Sequence, residues 1–213
     1  MSEPAAHLIA EDLACRRGER LVFAGLSFSL PQGGALVLTG ANGSGKTSLL
    51  RLVATLIAPA AGRLSWGAAA VESDVAGYRA RLHYVGHQDG IKPALTPREN
   101  LAFWAALRGC GPRQAAPALD AALAAFGIEA VADWPCRWLS AGQRRRLALA
   151  RLLVAPAPIW LLDEPANTLD ADGQTLLTRL MDEHRKRGGI VIAATHVRLD
   201  LPAAREISLG GAA

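Results

Sequence analysis

The sequence predicts an α/β fold with a mixed, mostly parallel core sheet, helices on both faces and an α-helical lobe inserted into it. Three observations predict it. Strand-like and helix-like segments alternate along most of the chain, the pattern of parallel-sheet units. Two strand segments, Ala35–Thr39 and Ile159–Asp163, are apolar almost throughout, as strands covered on both faces are. Between Pro97 and Ala141 the strand signals disappear and the pattern becomes almost wholly helical, which marks the lobe.

In chain order, Leu21–Leu30 and Ala35–Thr39 read as strands, and Gly45–Ala54 reads as a helix with Leu49, Leu50, Leu52 and Val53 on its apolar side. Leu82–Gly86 is the next strand. Pro97–Leu107 and Arg113–Phe126 are the helices of the lobe. Ser140 is a good N-cap for a helix over Ala141–Leu153. The strand Ile159–Asp163, the helix Ala171–Arg187 and the strands Gly189–Thr195 and Glu206–Leu209 complete the chain. No repeat, low-complexity tract or linker interrupts it. Residues 1–213 therefore read as one domain, with the lobe spanning approximately 90–153.

The composition suits such a domain. The 213 residues are 51% hydrophobic and 20% charged, enough to build a sizeable core. No apolar run reaches the ~18 residues that cross a bilayer. Met1–Glu11 contains acidic residues and no apolar signal core, so a cytosolic protein is expected. The net charge of +4 fits a mildly basic soluble protein, or contact with nucleic acid or an anionic membrane surface. The basic residues are scattered apart from the run Arg144-Arg145-Arg146. Cys15, Cys110 and Cys136 are too few and too separated for a zinc site or a disulfide framework, and read as reduced thiols.

The chemistry begins with Gly40-Ala41-Asn42-Gly43-Ser44-Gly45-Lys46-Thr47, which follows a buried strand and opens an apolar helix. Glycines at this spacing let backbone N–H groups curl around phosphate oxygens, and the helix N-terminus adds partial positive charge. Lys46 is placed to reach the β- and γ-phosphates, and the Thr47 hydroxyl to ligate Mg²⁺. The motif predicts a P-loop NTPase that binds ATP or GTP. Asp163 and Glu164 end an apolar strand, at the edge where open α/β sheets bind ligands. Asp163 is the expected Mg²⁺ ligand, directly or through water. Glu164, on the alternate side of the strand, is expected to point elsewhere and polarise the attacking water.

Leu139-Ser140-Ala141-Gly142-Gln143 is by itself an ordinary helix start. Its order and company say more. Gln88 follows the strand Leu82–Gly86, Asn167-Thr168-Leu169-Asp170 follows the carboxylates, and His196 follows the strand Gly189–Thr195. The whole series resembles the nucleotide-binding domains of ATP-binding cassette (ABC) ATPases, over nearly the whole chain. The resemblance implies that Gln88 senses Mg²⁺ and the γ-phosphate beside the groove facing membrane subunits. It implies that Ser140 and Gly142 bind the γ-phosphate of ATP held by the other subunit of a homodimer. It further implies that Asp170 crosses the dimer interface, and that His196 contacts the γ-phosphate and helps orient the water. Ala141 stands where glycine is usual. Members of the family also place an aromatic residue before the second strand to stack on adenine. The stretch Cys15-Arg16-Arg17-Gly18 has none, so ATP is implied by the family, and Arg17 offers a guanidinium to the base instead.

Within the family, His87-Gln88-Asp89-Gly90-Ile91-Lys92, then Leu95-Thr96 and Glu99-Asn100-Leu101, is similar to the ATPase subunits of cytochrome c maturation haem exporters; Glu99-Asn100-Leu101 is shared with many cassette ATPases, and Gly86 to Lys92 is the more specific string. Supporting it are Cys15, Arg17, Arg20 and Phe23, then Gly25-Leu26-Ser27-Phe28, and the Leu-Ser-Ala-Gly-Gln form of the signature. That resemblance implies a peripheral ATPase at the cytoplasmic face of a bacterial inner membrane, paired with CcmB-like and CcmC-like permease subunits. ATP hydrolysis would drive haem export or release of a haem-loaded chaperone. Trp104 lies near the implied docking groove, though a tryptophan at such a position is more often simply core. No His or Cys pair has ligand spacing, so direct haem binding is not expected. A transporter of another substrate, or a non-transport ATPase acting on nucleic acid, are the competing readings. The latter usually carry paired cassettes or long coiled coils, and this chain has neither, so no nucleic-acid partner is expected.

Overall fold

The computed structural model describes residues 7–196 and 199–210. In chain order its elements are β1 (Leu8–Arg17), β2 (Arg20–Leu30), β3 (Ala35–Thr39), α1 (Lys46–Val53), β4 (Ala61–Trp66), β5 (Ala69–Ala70), α2 (Val75–Arg79) and β6 (Leu82–Val85). There follow α3 (Pro97–Leu107), α4 (Pro112–Ala125), α5 (Ala141–Val154), β7 (Ile159–Asp163), α6 (Ala171–Lys186), β8 (Ile190–Ala194) and β9 (Arg205–Ser208).

The strands form two sheets, a five-stranded one in the order β6-β7-β8-β3-β9 and a four-stranded one in the order β2-β1-β4-β5. Every pairing in the first is parallel, and every pairing in the second antiparallel. The mixed character expected of the core is thus divided between two sheets.

Side chains alternate across a strand, and this splits the core in two. Leu36, Leu38, Ile159, Leu161, Ile190 and Ile192 pack with α1 and the antiparallel sheet. Val37, Trp160, Leu162, Val191 and Ala193 pack with α5, α6 and the lobe. In the lobe, α3, α4 and α5 share Leu101, Leu119, Leu123, Phe126 and Leu147; each such side chain contributes roughly 1.5–3 kcal/mol on burial. Capping boxes start two of these helices. Thr96 Oγ1 accepts from Glu99 N–H at 3.2 Å while Thr96 N–H donates to Glu99 at 2.8 Å. Ser140 and Gln143 repeat the exchange on α5 at 3.1 and 2.9 Å. Helix α5 begins on the surface at Ser140 and ends buried at Leu152 and Val154, so one rigid rod joins the signature to the core.

The sequence-based segments match these elements to within a residue or two at their ends. Four elements were not foreseen: β1, β4, β5 and α2. In β1 the register shifts repeatedly between Ala10 and Arg16, and Asp12 takes a left-handed φ of 49°. Such bulges break the alternation that marks a strand. In β4 only Leu64 is buried, and α2 is a five-residue turn containing Gly77. The stretch read as lacking a signal core includes residues 1–6, which lie outside the described residues; from Leu8 onward it is β1.

Candidate functional site

At the C-terminal edge of the parallel sheet lies a cleft of about 510 Å³, walled by residues 42–48, by Asp163, Glu164 and Asn167, and by His87 and His196. The β1–β2 hairpin closes one side with Arg17, Arg20 and Val22. The two guanidiniums at the rim, Arg17 and Arg20, favour an anionic ligand.

The loop 40–47 leaves β3 and runs into α1. Gly40 has φ 128° and Gly43 φ 80°, both in the region that favours glycine. A Cβ on Gly40 would sit 2.3 Å from the Leu209 carbonyl oxygen, so the loop is seated against the end of β9. A Cβ on Gly43 would meet no atom within 4 Å, because that residue faces the cleft. Lys46 is buried, and its Nζ donates to the carbonyls of Gly40 (2.7 Å) and Ala41 (3.2 Å). The ammonium is strapped across the loop. The Ser44 hydroxyl is buried and makes no hydrogen bond among the described residues. A curled loop, a helix N-terminus, a buried ammonium and an unpaired hydroxyl together form a phosphate cradle.

Asp163 closes β7 and is buried. The Thr47 hydroxyl donates to its Oδ1 at 3.1 Å, while Oδ2 is buried with no partner among the described residues. Burial pushes the Asp163 carboxyl above its ordinary pKa, against the pull of the Thr47 hydrogen bond. An orphaned carboxylate oxygen beside a hydroxyl, both facing a phosphate cradle, is a donor set that fits a hard divalent cation.

Glu164 corrects one expectation. Strand alternation predicted that it would point away from the Asp163 side. Instead β7 has ended and Glu164 has φ 48°, a left-handed turn that brings both carboxylates to one cleft. Its backbone N–H donates to the Ala194 carbonyl at 2.8 Å. Its Oε2 lies 2.7 Å from His196 Nδ1 and accepts from the His196 N–H at 3.3 Å. A shielded carboxylate and a half-exposed imidazole are in this way held as one unit.

Other expected residues lie elsewhere. Gln88 is exposed and is not part of the cleft wall, where His87 stands instead. Ser140 is exposed at the start of α5, and neither it nor Gly142 lines the cleft. Asp170 caps α6, accepting from the Gly173 N–H at 3.0 Å, and takes a two-pronged hydrogen bond from Arg146 at 2.7 and 2.9 Å. Those donors, the Gly173 amide foremost, hold its carboxyl below the ordinary range.

Arg145 and Arg151 were missed. In the sequence Arg145 belongs to a basic run that reads as a solvated patch. In the fold the run separates: Arg144 binds the Leu139 carbonyl, Arg146 the Phe126 carbonyl and Asp170, and Arg145 is buried. Arg145 donates to the carbonyls of Asp163 (2.8 Å), Glu164 (2.8 Å) and Pro165 (3.3 Å), and from its Nη1 to the Gly86 carbonyl (3.0 Å) and Asp89 Oδ1 (3.1 Å). A left-handed residue other than glycine costs about 1–2 kcal/mol. Hydrogen bonds from a charged donor contribute roughly 1.5–3 kcal/mol each, so this one guanidinium is enough to hold the Glu164 turn. Arg151, also buried, donates to the Tyr84 and Asp89 carbonyls and lies 4.5 Å above the ring of half-buried Trp104. Burial lowers its pKa to about 10. The available signal was helical spacing: Arg145 lies on the same face as Ala148, Leu149 and Leu152, the buried stripe of α5.

Comparisons with known proteins agree with this geometry. The family described as ABC transporter matches residues 23–167. The cytochrome c biogenesis ATP-binding export protein CcmA of Rhodospirillum rubrum is 54% identical over 207 residues, which cover 97% of this chain and 87% of that protein. CcmA of Rhodopseudomonas palustris strain BisB5 is 50% identical over 206 residues, covering 97% and 99%. A solved chain from Pyrococcus furiosus assigned to the ABC transporter ATP-binding proteins superposes with a TM-score of 0.82 at 22% identity, covering 95% of this chain and 97% of that one. With its phosphate cradle, paired carboxylates and matching family region, the chain belongs to the ABC transporter family as an ATP-binding, ATP-hydrolysing domain.

Proposed function

We propose that this chain is the ATPase subunit of the haem exporter of cytochrome c maturation. It works as a homodimer on the cytoplasmic face of a bacterial inner membrane, with CcmB-like and CcmC-like permease subunits. The observation that carries the reading is a hydrolytic constellation, with the Lys46 loop, the Thr47–Asp163 pair and the Glu164–His196 pair around one cleft. Half-identical relatives named as cytochrome c biogenesis export proteins support the choice of pathway. No helix of the described residues is long and apolar enough to cross a membrane, so the membrane path belongs to the partners.

ATP phosphates take the cradle of residues 40–47, and the Lys46 ammonium exchanges the Gly40 and Ala41 carbonyls for phosphate oxygens. Thr47 and Asp163 would hold Mg²⁺, which neutralises phosphate charge when bound. Glu164 accepts the proton of the attacking water, and His196, bonded to it at 2.7 Å, keeps the carboxylate aimed. Ser140 and Gly142, lying outside their own chain's cleft, serve the γ-phosphate held by the other subunit, and Asp170 lies at the same interface. Closure of the dimer completes each site, and hydrolysis reopens it. Gln88, exposed on the 86–92 segment, relays that movement to the permeases. The cargo step is haem export or release of a haem-loaded chaperone. Direct haem binding by this chain is not part of the proposal. Each guanidinium of the 144–146 run is engaged within the chain, so this run does not favour the nucleic-acid reading.

Glu164→Gln tests the assignment. The amide keeps the size of the side chain and removes the base, so MgATP binding persists while hydrolysis falls by about 10²–10⁴, the span of general-base contributions. Near-full phosphate release by the variant would exclude Glu164 as the base.

A further inference from the structure

Arg145 touches two segments that no other described side chain joins with a charge. On one side are three consecutive carbonyls, those of Asp163, Glu164 and Pro165, wrapped around its guanidinium. On the other are the Gly86 carbonyl and the Asp89 carboxylate. The first segment carries the left-handed Glu164. The second is the stretch 86–92, in which Gly86 is buried, Asp89 half-buried and Gln88 exposed.

Further side-chain restraints on the second segment come from α5 and α3. Arg151, further along α5, donates to the Asp89 carbonyl at 3.4 Å. Asn100 of α3 brackets Lys92, accepting from its N–H at 2.9 Å and donating to its carbonyl at 3.2 Å. Stretch 86–92 is therefore slung between α3 and α5, and Arg145 is where it meets the turn that aims Glu164. A planar guanidinium with five N–H donors can serve both sides at once, whereas a lysine ammonium cannot.

We infer that Arg145 is a positioning residue that couples the 86–92 segment to the catalytic turn: movement of that segment, transmitted through Asp89, changes how Glu164 is presented to the water. Arg145 reaches neither ATP nor the reacting atoms. It acts through the backbone of residues 163–165, so its loss should slow the hydrolytic step more than it weakens nucleotide binding. The inference rests on the ATPase reading above.

The test uses the full-length chain with Arg145→Lys and Asp89→Asn, measuring kcat and KM for MgATP hydrolysis, affinity for a non-hydrolysable MgATP analogue, and melting temperature. Asp89→Asn matters because it removes only the ion-pair link and leaves Arg145 in place to support the fold, should Arg145→Lys not fold. Misplacement of a catalytic group by about an ångström costs up to ~10²-fold. The expected result is therefore a fall in kcat of about tenfold or more for Arg145→Lys and about threefold for Asp89→Asn, with KM and analogue affinity within about twofold. An unchanged kcat in folded Asp89→Asn overturns the coupling. So does a loss of kcat, affinity and melting temperature in proportion, which would make Arg145 a fold-stabilising group only. A parent chain that hydrolyses no MgATP would instead overturn the ATPase reading, and this inference with it.

Discussion

Gly40 is the position where backbone geometry and the nucleotide cradle are most tightly joined, and replacing it by alanine has consequences that follow from the structure. Its φ of 128° is one that side-chain-bearing residues rarely adopt, and the new Cβ would lie 2.3 Å from the Leu209 carbonyl oxygen and 2.9 Å from Ser44 Oγ. Holding alanine in that conformation costs about 1–3 kcal/mol. Relieving the clash means withdrawing the end of β9, which breaks the 2.9 Å bond from Leu209 N–H to the Thr39 carbonyl, worth about 1 kcal/mol. The sum is about 2–4 kcal/mol, or a fall in melting temperature of roughly 4–16 °C for a chain of this size. Gly43→Ala is the control. Its φ of 80° is also left-handed, but its Cβ meets nothing within 4 Å, so it keeps only the backbone cost of about 1–2 kcal/mol while placing a methyl where phosphate must sit. Circular-dichroism melting of the nucleotide-free proteins should rank parent above Gly43→Ala above Gly40→Ala. Calorimetric titration with a non-hydrolysable MgATP analogue should show weakened binding in both. A Gly40→Ala protein that melts with the parent, or above Gly43→Ala, would refute this account of the loop.

Three further outcomes follow. A Lys46→Ala chain mixed with a Gly142→Asp chain should regain phosphate release that neither shows alone, because the mixed dimer keeps one site with an intact loop and an intact facing signature; no recovery counts against sharing of the site between subunits or shows that both sites must fire together. His83, bonded to the Ala155 carbonyl, and His184, stacked 3.9 Å from Trp160, are both lowered by burial to a pKa of about 4. The fold keeps them neutral while the unfolded chain protonates them below about pH 6.5, so their stabilisation is complete above that pH and is lost as pH falls through about 4. Melting temperature should decline across that window, and His184→Phe, which keeps the stack, should flatten the decline; an unaltered slope would remove His184 from the account. Asp163 has the opposite sign. Its raised pKa means that stability present below the ordinary carboxylate range is lost as pH rises through the raised value, a cost that a bound cation offsets. Asp163→Asn should abolish the gain in ATP affinity that magnesium confers, and an undiminished gain would exclude Asp163 as a ligand.

The parts of the site that could be read from sequence are those whose chemistry is contiguous. Residues 40–47 form a cradle because the chain itself curls there, and the apolar run of β7 ending in Asp163 declares both a buried strand and its functional end. The antiparallel sheet was largely hidden. The bulges of β1 disrupt its alternation, and Glu11 and Asp12 give it the look of a charged terminus. Helical spacing placed α5 within a residue of its observed end, yet the three arginines at its start looked alike because periodicity alone does not say what a charged side chain meets.

The sequence by itself determined the phosphate loop and the two carboxylates, since each rests on residues within a few positions of one another, and the α/β order and the family, since these rest on the order of such local segments along the chain. Only the tertiary structure decided that Glu164 turns back to His196, that His87 stands in the cleft wall while Gln88 stays outside it, and that Arg145 is buried between the 86–89 segment and the 163–165 turn. These contacts join residues up to 59 positions apart. They arise because parallel strands β6, β7 and β8 bring their C-terminal ends side by side, where the loops between distant segments must share a small number of hydrogen-bonding partners.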